Sequence, residues 1–152
     1  MTSTSKRKLG FARERDLARL LWRKGFACIR GPASGAKAKR IIYPDLVAIK
    51  NGKIFVIEVK TREKRETIYI ERLKIERLVE FSKRAGGRAF LAIKYMDGSE
   101  WRFIPIEKLE TTPAGNYRLT PKTVAKEGLT LSDLVSIASN TISLDEFIKT
   151  SE

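Results

Sequence analysis

The sequence predicts an α/β domain. Three observations predict it: an amphipathic helical stretch near the start, two β-rich runs around Asn51-Gly52, and a second helical stretch followed by two more β-rich runs. A chain of 152 residues suits one domain, and 42% apolar residues suffice for a core, which excludes wholesale disorder.

Each element has its own signal. Over residues 11–24, at about 100° per residue, Leu17, Ala18, Leu21, Phe11 and Trp22 share one arc. Asp16, Arg19, Arg23 and Lys24 lie opposite, and Gly25 closes the helix. Residues 26–30 form a short strand, which Gly31-Pro32-Ala33-Ser34-Gly35 cannot continue, so a loop follows. Residues 45–50 and 53–60 make a two-residue type I′ hairpin that pairs Lys50 with Lys53, Val47 with Val56 and Leu46 with Ile57. Both of its faces are apolar, which predicts a central, covered position.

Residues 69–85 form the second helix, with Ile70, Leu73, Ile75, Leu78, Val79 and Phe81 as apolar positions and Gly86-Gly87 as the stop. Residues 88–95 and 101–104 are strands around a turn at Asp97-Gly98. Thr130 to Asp133 resembles a capping box for a helix to about Ser139, and Ser143 to Glu146 starts a short final one. Residues 1–112 therefore form the core domain, and 113–152 an extension packed on or near it. Trp22, Phe90 and Trp101 are read as core or interface residues.

Charge narrows the function. The formal net charge is +13, and residues 1–40 carry 12 Lys/Arg against two acids. Such a surplus favours a polyanion, nucleic acid above all, over mere solubility. The chain has no histidine, which excludes Ser-His-Asp triads and His-ligated zinc. A single cysteine, Cys28, excludes an internal disulfide and fits a reducing compartment. No run is long and apolar enough for a membrane span, and no apolar signal core follows the basic start, so an intracellular, cytoplasmic protein is expected. Glutamine is absent, asparagine occurs three times and 32% of residues are charged, a composition compatible with a heat-adapted source.

The hairpin register sets Asp45 opposite Glu58, with Lys60 two residues on along the same face. Opposed β-carbons lie about 4.5–5.5 Å apart, where like charges repel. A divalent hard cation between two such carboxylates is the simplest reason for them. Glu14 falls at the centre of the first helix's apolar arc and should point toward the sheet. The alternative for Glu14 is a buried salt bridge to Arg30 or Lys60, and for the hairpin acids a surface ion-pair cluster. Carboxylates and water suit Mg²⁺ or Mn²⁺, which polarises a phosphoryl oxygen and helps generate hydroxide. Lys60 can stabilise charge on a phosphate or orient the attacking water. These parts describe metal-dependent phosphodiester hydrolysis. Lys6, Arg7, Lys8, Arg30, Lys37, Lys39 and Arg40 are the candidates for phosphate contacts, and nothing suggests base-edge reading.

Pro44-Asp45 followed by Glu58-Val59-Lys60 resembles the PD-(D/E)xK nuclease signature. The run from Arg30 to Lys37, Glu14 in the first helix and Phe90 to Lys94 are similar to the archaeal Holliday junction resolvases, Hjc and its relative Hje. The resemblance implies a restriction-endonuclease-like core, a central mixed β-sheet flanked by helices. It implies Glu14, Asp45 and Glu58 as metal-site acids, Lys60 as the catalytic lysine and Ser34 as a loop serine needed for cleavage. It also implies a Mg²⁺-dependent homodimer that resolves four-way DNA junctions by paired symmetric nicks in recombination and repair. Apart from the resemblance, the last 15 residues are a candidate site for a sliding clamp or other recombination protein. Where Hjc-like sequences often have a glutamine early in the second helix, this chain has Lys74. Read without the resemblance, Ser34 is ordinary turn chemistry.

Two other functions compete. A non-catalytic basic DNA-binding protein shares the charge, but gains nothing from anionic groups facing DNA. A restriction or repair nuclease shares the core, but the chain lacks an evident base-reading insertion.

Overall fold

The computed structural model describes residues 3–32 and 43–139, the side chains from residue 8 onward. The elements are α1 (Ser3–Arg23), β1 (Ala27–Arg30), β2 (Leu46–Lys50), β3 (Lys53–Arg62), β4 (Ile68–Ile70), α2 (Arg72–Ala85), β5 (Arg88–Tyr95), β6 (Arg102–Pro105), β7 (Glu110–Thr111), β8 (Tyr117–Leu119), α3 (Pro121–Glu127) and α4 (Leu131–Ala138). The α/β prediction holds: a mixed five-stranded sheet, order β1-β2-β3-β5-β6, is flanked by helices.

The hairpin register is the predicted one, from Lys50↔Lys53 to Leu46↔Ile57. Asn51 (φ 53°) and Gly52 (φ 75°) take the left-handed turn conformations that type I′ demands. β3 then pairs in parallel with β5 through the α2 crossover, from Phe55↔Arg88 to Arg62↔Tyr95. Side chains alternate across these strands. Phe55, Ile57, Phe90 and Ala92 enter one buried cluster with Leu17 and Leu21 of α1 and Leu134, Ile137 and Ala138 of α4. Val56, Leu91 and Ile93 enter another with Ile75 and Leu78 of α2 and Val124 of α3. Both faces of β3 and β5 are covered, as the apolar runs require.

Four expectations are corrected. Helix α1 begins at Ser3, not residue 11: Gly10, a weak helix former, costs only about 1 kcal/mol inside a helix and does not stop it. Helix α2 begins at Arg72, because Ile68–Ile70 pairs with Tyr117–Leu119 in a second sheet, order β4-β8-β7. Ile70 is thus a buried strand residue, and Leu73 is 51% exposed. That sheet and α3 were not predicted, since strands of two or three residues show no periodicity. Thr120, which caps α3, and Pro121 at its start were the available signal. Trp22 lies outside the core at 67% exposure, whereas Phe90 and Trp101 are buried. The capping box at Thr130 and Asp133 forms as predicted. The expected helix at Ser143 to Glu146 lies outside the described residues. Among those residues, no helix is long and apolar enough to cross a membrane.

Candidate active site

The site lies where one strand outruns its partner. β3 continues through Arg62 against β5, but its ladder with β2 stops at Ile57. Asp45, just before β2, takes over at that point: its Oδ2 accepts a hydrogen bond from the Val59 N–H at 2.8 Å. The Asp45 backbone is anchored by Gly31, whose N–H donates to the Asp45 carbonyl at 3.0 Å. A β-carbon on Gly31 would overlap the Pro44 carbonyl oxygen, so the approach needs glycine. The sequence marked Gly31 only as a strand breaker.

Glu58 and Lys60 project from the extended half of β3. The Glu58 carboxyl faces that of Asp45 closely enough for each charge to act on the other. Burial pushes the Glu58 acid up, and the Asp45 charge and hydrogen bond push it further, against the pull of Lys60 and Lys74. Glu14 points inward from α1, its side chain 15% exposed. Burial and then the Asp45 charge raise it to about 7, opposed by Arg30 and Lys60. Arg30 Nη2 lies 3.7 Å from Glu14 Oε2 and donates to the Phe11 carbonyl at 3.5 Å. The salt bridge offered as the alternative for Glu14 therefore exists, beside its approach to Asp45. Burial lowers the Lys60 ammonium, with Lys74 lowering it further and Glu58 opposing.

Glu14, Asp45, Glu58 and Lys60 thus converge from α1, the start of β2 and the end of β3. The sequence missed one participant as a site residue: Lys74, in the first turn of α2, with Nζ 4.0 Å from Glu58 Oε1. The remaining candidates divide. Lys8 is exposed on α1, and Arg30 turns to Glu14. Ser34, Lys37, Lys39 and Arg40, and the side chains of Lys6 and Arg7, lie outside the described residues.

The oxygen donors suit a hard cation only in part. Among the described residues, no group of three His, Cys, Asp or Glu side chains is placed to share one ion. Of the three expected acids, Glu14 is paired with Arg30 at 3.7 Å while also feeling the Asp45 charge. Asp45 and Glu58 act directly on each other, and a pair of neighbouring carboxylates completed by water and substrate phosphate is ordinary for Mg²⁺.

Comparison with known proteins agrees. The sequence pattern of the archaeal Holliday junction resolvase (Hjc) family matches residues 5–143. The chain is 43% identical to the crossover junction endodeoxyribonuclease Hjc of Sulfurisphaera tokodaii over 146 residues, covering 95% of this chain and 99% of that one. It is 38% identical to the Hjc of Sulfolobus acidocaldarius over the same shares. The solved structure of Archaeoglobus fulgidus Hjc superposes with a TM-score of 0.73 at 33% identity, covering 80% of this chain and 96% of that one.

Proposed function

The chain belongs to the archaeal Holliday junction resolvase family and is a crossover junction endodeoxyribonuclease, and we propose that its active site is the fork where β2 leaves β3. The observation that carries this reading is the closeness of the Asp45 and Glu58 carboxyls beside Lys60. Nothing in a mere DNA-binding face accounts for two partly buried, mutually repelling acids.

Asp45 and Glu58 would hold a divalent ion, Mg²⁺ or Mn²⁺, with Glu14 as a third carboxylate reaching the site from α1. When bound, such an ion supplies a Lewis acid and a water of lowered pKa. The protein's own groups do the rest. The Val59 N–H fixes the Asp45 carboxylate, and Arg30 holds Glu14 at the rim. Lys60, kept partly dry, faces the charge that develops as the phosphodiester is attacked and its ester oxygen departs. Ser34 and the basic residues Lys37, Lys39 and Arg40, with Lys6, Arg7 and Lys8, are the groups assigned to the DNA backbone.

The enzyme acts as a homodimer, since two symmetric nicks need two sites related by a two-fold axis. A sliding clamp or another recombination protein would bind elsewhere. The enzyme works in the cytoplasm, where the chromosome is.

The test is cleavage of an immobile four-way junction and of linear duplex with the same arm sequences, with and without Mg²⁺. The junction should be nicked in pairs only with the ion, and Asp45→Asn should lose activity by at least about a thousandfold. Equal cutting of junction and duplex would refute junction selectivity.

A further inference from the structure

Lys74 is in an unfavourable place for every structural purpose. It occupies the first turn of α2, where the helix dipole disfavours cations. Its ammonium, on the rim beside Glu58, is near enough to Lys60 to disfavour that like charge. Its side chain is 53% exposed, so it buries little. The carboxylate near it, Glu58, is 4.0 Å away and is already engaged with Asp45. Two adjacent ammonium groups at the edge of a site that handles a polyanion make sense if an anion seats between them.

We propose that Lys74 is a substrate-contacting residue of this active site, a second ammonium that binds a non-bridging phosphate oxygen of the DNA strand beside Lys60. A glutamine at this position could donate a hydrogen bond but would supply no charge. With Glu58 committed to a cation, Lys74 turns from that carboxylate to the phosphate, and its repulsion of Lys60 is relieved by the anion they share. The proposal rests on the nuclease reading above.

The test separates the two. A labelled four-way junction is titrated with wild type, Lys74→Gln and Lys74→Arg over a range of KCl, with Ca²⁺ in place of Mg²⁺ so that a cation occupies Glu58. The log–log slope of affinity against salt should be shallower by about 1 in Lys74→Gln and unchanged in Lys74→Arg. With Mg²⁺, kcat of Lys74→Gln should fall about tenfold, less than for a buried donor, while Lys74→Arg retains most of it. An unchanged slope and full cleavage in Lys74→Gln would overturn the proposal. So would an unchanged slope with tighter Mg²⁺ binding, which would make Lys74 only the counter-ion of Glu58. Failure of wild type to cut junctions would sink the nuclease reading instead, and the salt slope would still decide whether Lys74 touches phosphate.

Discussion

The two halves of strand β3 obey opposite rules. From Lys53 to Ile57 the strand has β2 on one side and β5 on the other, and Phe55, Val56 and Ile57 are buried apolar residues. From Glu58 to Arg62 it keeps β5 and loses β2, and Glu58, Lys60 and Arg62 are ionisable. The same β5 backbone supports both. Full pairing makes the first half a scaffold. Pairing on one side alone leaves the second half stiff, partly dry and open at an edge, which is what a polar site needs to hold its groups in raised or lowered ionisation states.

Substitutions on the two halves should therefore separate activity from stability. The largest effect is expected from Glu58→Gln, which should cut junction cleavage at least about a thousandfold while leaving Tm within a few degrees. Ile57→Ala, one residue away, should do the reverse. It should cost about 3 kcal/mol of unfolding free energy in denaturant titration and leave kcat of the folded fraction nearly intact.

Gly31→Ala tests the junction between the halves. The added methyl must displace Pro44, and with it Asp45, so cleavage should drop about a hundredfold with modest loss of Tm. Wild-type cleavage in that variant would show that Asp45 does not depend on the contact.

pH should sharpen the contrast. Glu14 sits at about 7 in the folded protein against 4.5 ordinarily, and Glu58 is raised as well. The folded state thus holds these protons more tightly than the unfolded one. The stability they add to the ion-free protein is complete below the ordinary carboxylate range and is lost as pH rises through about 7 for Glu14 and about 8 for Glu58. A divalent ion must displace the same protons, so its affinity should climb with pH, up to about tenfold per unit for each proton released. Calorimetric titration of Mg²⁺ at several pH values, with Glu14→Gln flattening the trend, checks this. The smallest effect belongs to the turn: Gly52→Ala should cost about 1 kcal/mol from its left-handed φ and leave cleavage unaltered.

The hairpin was legible in advance because an Asn-Gly pair fixes register, and register alone placed Asp45 by Glu58. Glu14 was legible because a carboxylate on an apolar arc stands out. Lys74 was not legible as a site residue. It is one more lysine on a charged helix face, and its approach to Glu58 depends on how α2 lies over β3. The start of α2 was misread because Tyr69-Ile70 fits a helical period as well as a strand. The pairing with β8 that decides the matter lies far along the chain. Gly31 read as punctuation, since its close approach to Pro44 exists only in three dimensions.

That approach has a consequence for how this enzyme can diversify. Gly31 clasps Pro44 and Asp45 directly, so the segment from 32 to 43 leaves and returns through a fastened neck. Lengthening a segment closed in this way costs only about 0.6 kcal/mol per doubling. Changes in its sequence and size would leave Asp45, fastened beneath that neck, where it is.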